Sequence, residues 1–501
     1  MHAPPDPAEH GSVESLGRTA LAGARWVTLS RVGSEAAAFV SSLVLARLIA
    51  PEAFGHVAIA LFVGALAIGL AQQNVGAALV QMEEPTPRHF RAAMAVSLTV
   101  GLVLMLVTIL VTVALAGVAD PTTMELVRLM SLSFVLLAPS AVSQALLQRR
   151  LDFRRLSIVE VTAVVANVTV AVTCAVAGLE GSAVILGFLA QSATSSALLV
   201  RSARPPAPRL HRTEIAEISR FGLPVSTSSL AYVAMTNVDY VILGARLNPL
   251  DVGLYWRAYV VGVDYQAKVS GILLRVAFPL FSRAADLEAV RELRRRIVRL
   301  HAVVLFPPLA FLIIAGPTVI PWLYGPEWEE AGTLVQWLAI AGLAQVVATG
   351  TGPLVLAQGH AKALRNWNLV LLVGLAAVVW VASSGGVLTV AISLALFRVA
   401  AMFVGQYLLV QRLIGIRLAD TLREDVLPAA TSAVAGMVPA AVVLHTLEAA
   451  DLPTVVVLAA SGLVGVAVYA LVLKLAFAEA AQDVRRIASR LLARRRRASM
   501  A

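Results

Sequence analysis

Cysteine and charge are both scarce in this chain. Cys174 is the single cysteine among 501 residues, which excludes an intrachain disulfide and leaves a thiolate metal cluster without ligands. The eight histidines, at positions 2, 10, 56, 89, 211, 301, 360 and 445, keep no metal-ligand spacing. Charged residues are 14% and aromatics 6% of the chain, where an ordinary globular domain has about 25% charged residues. Long polar connectors are missing too. The longest, Arg201–Arg209 and Ser282–Arg296, have no room for a nucleotide-binding domain, and those on the opposite side cannot hold a catalytic domain. No Gly-rich loop ending in Lys-Ser/Thr occurs, which excludes phosphate-loop ATP hydrolysis by this chain.

What fills the sequence instead is apolar. Hydrophobic residues are 59% of the chain and the mean hydropathy is +0.82, more apolar surface than a water-soluble fold can hide. Runs long enough to span a bilayer as helices fall at 22–50, 54–81, 93–118, 125–148, 157–179, 181–200, 220–246, 252–281, 298–320, 331–357, 366–383, 386–410, 426–447 and 453–475. The expected fold is therefore all-α and polytopic, with about 14 transmembrane helices. Ala93–Val118, Asn366–Phe397 and Leu452–Leu473 carry no charge at all. The first run is too long, and too interrupted by Arg25, Arg31 and Glu35, for a cleavable signal peptide. Residues 1–17, rich in Pro, His and acids, are expected to be disordered.

The net charge of +10 could suggest nucleic acid, but the placement of the cations argues for a membrane. Of the 40 Lys and Arg, 33 fall on alternate connectors and the two termini, only Arg47, Arg128, Arg246 and Arg257 sit near the opposite ends, and Lys268, Arg275 and Arg398 fall at membrane depth. The positive-inside rule then puts both termini in the cytoplasm. The tail Arg494–Arg497 reads as an anchor for anionic lipid, and no nucleic-acid partner is expected.

The chain also repeats itself. Ala46-Arg-Leu-Ile-Ala-Pro-Glu-Ala-Phe-Gly55 follows the first run, and Ala245-Arg-Leu-Asn-Pro-Leu-Asp-Val-Gly253 follows the seventh. Both have Ala-Arg-Leu and a Pro four residues before a Gly. Six runs separate the copies, so the two halves enter the membrane from the same side, a parallel-repeat transporter architecture. The expected organisation is a cytoplasmic N-terminus (1–17), an N-lobe of helices 1–6 (18–203), a Pro-rich linker (204–218) and a C-lobe of helices 7–12 (219–411). An extra pair of helices (426–475) and a basic cytoplasmic tail (476–501) complete it.

Several motifs carry a family resemblance. They are Gly23-Ala-Arg-Trp26 with the first copy of the repeat, Gln148-Arg-Arg-Leu-Asp-Phe-Arg154, Val238-Asp-Tyr-Val-Ile-Leu-Gly244 and Gly253-Leu-Tyr-Trp-Arg-Ala-Tyr259. Phe278-Pro-Leu-Phe-Ser282 and Tyr324-Gly-Pro-Glu-Trp-Glu-Glu-Ala331 extend the series. Spread over about residues 20–420, they resemble the polysaccharide-export flippases of the multidrug/oligosaccharidyl-lipid/polysaccharide exporter superfamily, nearest its Wzx-like and teichuronic-type branch. The resemblance implies two six-helix lobes around a V-shaped cavity and outward movement of an undecaprenyl-linked glycan. It also implies cavity-lining cations on helices one and eight.

A charge at the bilayer centre costs about 2.5–3.5 kcal/mol on insertion scales, so each such residue needs a partner, a wet cavity or a role. The eighth run holds Arg257, Asp264, Lys268 and Arg275. On an unbroken α-helix these share one face to within about 20°. In one reading Asp264 and Lys268 pair and the arginines snorkel to the headgroups; in the other the stripe meets a substrate pyrophosphate. Both readings stand for Arg257, and the second is the stronger for Lys268 and Arg275. Arg31 joins these candidate pyrophosphate ligands, with Glu35 four residues on. Glu35, Asn74 (beside Gln72 and Gln73), Asn237, Asp239 and Asp264 are candidate sugar or coupling contacts, Asp239 being the candidate for ion or proton coupling. Glu160 and Arg398 are read as lone structural charges near span ends.

No catalytic residue, metal or cofactor is expected, and H+ or Na+ is the candidate coupling cation. The expected function is a flippase for polyprenyl-(pyro)phosphate-linked oligosaccharide in the bacterial cytoplasmic membrane, serving capsule, exopolysaccharide or O-antigen export. Its expected partners are that substrate, membrane lipids and other polysaccharide-assembly membrane proteins. A peptidoglycan-precursor flippase or a drug/cation antiporter of the same superfamily is the alternative. A membrane glycan polymerase or ligase would want a large outside loop, which the chain lacks.

Overall fold

A computed structural model describes Trp26 and residues 30–71, 75–274, 277–283 and 286–477. Residues 1–17, Arg25, the amides Gln72, Gln73 and Asn74, Arg275 and the tail beyond Phe477 lie outside the described residues. Within them the chain is helical and has no strand; the single bridge, Ala116 to Ala119, is a local turn. Lipid offers no partner to a backbone N–H or C=O, so apolar runs of this length satisfy their own hydrogen bonds as helices.

The helices in chain order are α1 (30–48), α2 (Pro51–Ala71, resumed at Ala77–Gln81), α3 (Pro87–Ala114), α4 (Pro121–Arg149), α5 (Phe153–Val176) and α6 (Glu180–Ala203). Next come α7 (Arg212–Arg246), α8 (Pro249–Tyr259, continued by a π turn Val260–Asp264 and by Tyr265–Leu274), α9 (Leu287–Tyr324) and α10 (Glu329–Ala348). The series ends with α11 (Ala361–Ala382), α12 (Gly386–Gly405, with a π turn Gln406–Gln411), α13 (Leu427–Ala449) and α14 (Thr454–Ala476). Among the described residues ten stretches are long and apolar enough to cross a membrane, and one of them, Ala361–Ile414, contains both α11 and α12. The protein is a multi-pass membrane protein.

Short side-chain signals set the helix starts. Asp120, Asp152, Asn248 and Asp286 each accept a hydrogen bond from the backbone N–H three residues on, at 2.8, 3.2, 2.9 and 2.8 Å. Pro51, Pro87, Pro121 and Pro249 open their helices, where a missing N–H costs nothing. The two copies of the repeat thus do the same local work. Ile49 N–H and Leu247 N–H bond back to the carbonyls of Leu45 and Leu243 at 3.0 and 2.8 Å, and proline then starts the next helix.

Two helices begin well before the apolar runs that mark them. α9 starts at Leu287 rather than 298, and α7 at Arg212 rather than 220. Hydropathy sees only the lipid-facing length; the early turns of α9 are held by water-compatible ion pairs such as Arg291–Glu288 (3.1 Å) and Arg296–Glu292 (2.7 Å).

The chain divides into two compact units, Met1–Val241 and Ile242–Ala501, the division falling within α7. In the first unit α4 packs against α2, α3 and α6, and its Ser- and Ala-rich faces are buried. In the second, α9 packs against α10, α13 and α14, and α10 also meets α12. α13 and α14 approach through glycine: a Cβ on Gly436 would lie 2.6 Å from the Gly465 carbonyl oxygen, the small-residue contact that helices use in lipid. Tyr469 of α14 donates to the Val303 carbonyl of α9 at 3.0 Å, which ties the pair to the unit.

Candidate functional site

The charged stripe of the eighth run is broken in the structure. A π turn takes about one extra residue, so all that follows Asp264 is rotated by about 100° from an unbroken helix. Arg257, before the turn, is buried at 4% exposure, whereas Lys268, after it, is exposed. Asp264, within the turn, is half-buried. The single charged wall expected from the sequence is therefore two faces.

Arg257 lies among aromatic rings. Its guanidinium carbon is 4.9 Å from the ring centre of Trp256, 5.7 Å from that of Tyr324 and 5.9 Å from that of Trp328, within cation–π range of all three. Tyr324 and Trp328 are buried. Two motifs distant in sequence, Gly253–Tyr259 and Tyr324–Ala331, thus meet at this arginine. Lys268 Nζ is 5.4 Å from the Tyr265 ring centre.

Elsewhere the candidates divide by exposure. Arg31 and Glu35 are exposed on α1, four residues apart and so on one face. Asn237 is half-buried, and its amide donates to Val233 O at 2.8 Å and Thr236 Oγ1 at 3.0 Å. Asp239 is buried, and its Oδ1 accepts from Tyr240 N–H at 3.0 Å. Arg275 and Asn74 lie outside the described residues. Glu160 is near the start of α5 and accepts from Ser30 at 3.3 Å.

Three basic residues have roles that composition does not reveal. Arg149 ends α4 with its guanidinium over the carbonyls of Leu79 (3.1 Å), Met82 (2.6 Å) and Glu83 (3.1 Å), a cation at the C-terminal end of α2. Arg294 is 1% exposed. It donates to Thr421 Oγ1 at 2.7 Å and Gln406 Oε1 at 2.6 Å and faces Asp425 at 3.7 Å. Both π turns that supply these partners, Gln406–Gln411 and Thr421–Val426, are in the second unit. Its neighbours on the helix face, Val290, Val298 and His301, are equally buried; that helical phase is the signal in the sequence that separates Arg294 from the other arginines around it. Arg398, third, is at the membrane depth where the placement of the cations puts it, rather than near a span end. It lies about 18 Å along α12 from Gly386, deep within a layer about 30 Å thick.

Known proteins give this arrangement its context. The family described as polysaccharide biosynthesis protein matches residues 44–333. The lipopolysaccharide biosynthesis protein WzxC of Escherichia coli (strain K12) is 26% identical over 71% of this chain and 73% of its own length. The teichuronic acid biosynthesis protein TuaB of Bacillus subtilis (strain 168) is 26% identical over 67% of this chain and 70% of its own. The succinoglycan biosynthesis transport protein ExoT of Rhizobium meliloti (strain 1021) is 27% identical over 69% and 70%. Among solved structures, the lipid II flippase MurJ in an inward closed conformation aligns with a TM-score of 0.68 at 12% identity, over 92% of this chain and 99% of that one. An inward-facing multidrug resistance MATE family transporter of the MOP superfamily aligns with a TM-score of 0.58 at 15% identity, over 73% and 92%. These two likenesses are of fold. The match over residues 44–333 is more than half of the chain, and the chain belongs to the family of polysaccharide biosynthesis proteins.

Proposed function

We propose that the protein is a flippase that moves a polyprenyl-(pyro)phosphate-linked oligosaccharide from the inner to the outer leaflet of the bacterial cytoplasmic membrane, by alternating access, during export of a surface polysaccharide. The observation that carries this reading is the family match over residues 44–333, with relatives named for lipopolysaccharide, teichuronic acid and succinoglycan. The chemistry agrees with it. Moving a headgroup across lipid forms and breaks no covalent bond, and needs cations at membrane depth to meet phosphate oxygens. Lys268 and Arg31 are exposed cations of this kind, and Arg275 is assigned the same role. Arg257, buried among its rings, holds α8 to the start of α10 and acts on substrate through that helix. Asp239 is assigned to H+ or Na+ coupling, with both termini in the cytoplasm by the placement of Lys and Arg.

The test is deletion in the native host. The expected result is accumulation of one lipid-linked oligosaccharide on the inner leaflet, reversed by the gene in trans. Unchanged lipid-linked glycans with altered drug sensitivity would make the protein an antiporter, and accumulation of a peptidoglycan precursor would place it with those flippases. In the complemented strain, Lys268→Ala and Arg31→Ala are expected to lower export about tenfold each at normal protein level; full export would make both side chains structural.

A further inference from the structure

Arg398 is a charge near the middle of α12 with no carboxylate within ion-pairing distance among the described residues. Among the described residues its one hydrogen bond is to the Tyr259 hydroxyl, at 3.5 Å, and its Nε is shielded and has no partner. The Nε of Arg294 is likewise without a partner among the described residues, so what sets Arg398 apart is the space beside it. The second unit supplies the space. A half-open cavity of about 260 Å³ between α10, α11, α12 and the short helix Thr351–Ala357 has a mostly apolar lining, to which Arg398, Gln345, Asn368, Trp367, Thr351 and Gln406 add polar groups. Thr351 and Gln406 are bonded to each other at 3.3 Å. Gln345 Oε1 has no partner among the described residues, and Asn368 is exposed. Trp367 packs where α12 has Gly405; a Cβ there would lie 3.0 Å from Trp367 Cζ2.

One guanidinium, three amides, of which Gln406 is already hydrogen-bonded, and an indole are an uncommon set inside a membrane. The amides match hydroxyl groups, the indole face matches the polarised C–H groups of a sugar ring, and the guanidinium matches an anionic oxygen pair. The volume falls just below the range for drug-sized ligands, room for one ring rather than a chain of them. We propose that this cavity is a subsite for a negatively charged sugar of the transported glycan, with Arg398 as the group that reads its carboxylate. The proposal rests on the flippase reading above and adds a substrate class to it: glycans bearing an acidic residue.

The test uses the full-length protein in detergent, its tryptophan fluorescence titrated with glucuronate, glucose and inorganic phosphate. Wild type is expected to bind glucuronate about tenfold more tightly than glucose, the discrimination one charged hydrogen bond provides, and more tightly than phosphate. Arg398→Gln is expected to abolish the preference and Arg398→Lys to keep part of it. Asn368→Ala should weaken glucuronate and glucose alike, and it decides the matter if Arg398→Gln does not elute as folded protein. Equal binding of glucuronate and glucose by wild type, or tighter binding of phosphate, overturns the proposal. The deletion strain separates this from the wider reading: unchanged lipid-linked glycans there sink the flippase assignment whatever the titration gives. Accumulation there together with equal binding sinks the subsite alone.

Discussion

Arg294 and Arg398 lie in the same unit and both touch the surroundings of Gln406, yet they are held in opposite ways. Arg294 is enclosed, with a hydroxyl and a carboxylate from one π turn and an amide oxygen from another, its Nε having no partner among the described residues. Arg398 has a cavity on one side and a single long hydrogen bond to a tyrosine. A buried charge held by several partners ties chain segments together, because removing any one of them leaves the others desolvated and unpaired. One that borders an opening with no carboxylate keeps its charge available for something that enters.

The largest effect expected from this contrast is at Arg294. Arg294→Met leaves Asp425 and Thr421 without their cation and should cost about 3–5 kcal/mol, the usual penalty for breaking a buried pair, read as thermal unfolding of the purified protein. Arg294→Met with Asp425→Leu should recover most of that loss, since neither half of the pair then remains. A single variant as stable as wild type would mean that Arg294 is no clamp.

Gln406 joins the two regions. Its Oε1 accepts from Arg294, and its Nε2 donates to Val347 O and Thr351 Oγ1, both at 3.3 Å. Gln406→Leu should cost about 1–3 kcal/mol, the penalty of leaving a buried donor unmatched, less than Arg294→Met because Thr421 and Asp425 still hold the guanidinium. Glucuronate binding should fall in the same variant. A loss of stability with unchanged binding would separate the knot from the cavity.

Arg398→Gln should behave in the reverse manner, changing stability by less than about 1 kcal/mol because no paired carboxylate is stranded by its removal. Its unfolding temperature beside that of Arg294→Met is the direct comparison. A loss as large as that of Arg294→Met would make both arginines structural.

Much of this architecture is written in the sequence, and the reasons differ between elements. Helices are legible because lipid leaves an apolar run no other way to satisfy its backbone, and the start at Pro249 because proline and the Asn248 cap act within one turn. The first turns of α9 are not, since a helix in water needs no hydropathy. The stripe on α8 fails for a narrower reason: a fixed 100° per residue has no place for the π turn at Val260–Asp264. Arg257 is legible as a charge near a span end but not as the meeting point of two motifs, because Tyr324 and Trp328 are brought there by tertiary packing. Arg294 hides in a basic connector until its helical phase with Val290 and Val298 is considered. Arg398 needed only its distance from the helix ends.

The smallest effect expected lies at a charge that stays wet. Asp120 caps α4, its Oδ1 accepting from Thr123 N–H at 2.8 Å and from the Thr123 hydroxyl at 3.1 Å, with His56 Nδ1 at 3.2 Å. Burial pushes its pKa up, but the Thr123 bonds, His56 and the Thr122 N–H together hold the carboxyl below its usual range. A carboxyl depressed on folding adds stability above its unfolded value of about 3.9, and that stability is lost as pH falls through the lower folded pKa. Asp120→Asn keeps a capping oxygen and removes the charge. Its unfolding temperature should therefore lie slightly below that of wild type at neutral pH and converge with it below about pH 4. A gap that persists unchanged into acid would assign the effect to shape rather than charge. It would also remove the exposed carboxylate as the mild end of the scale on which Arg294 and its buried Asp425 stand at the other.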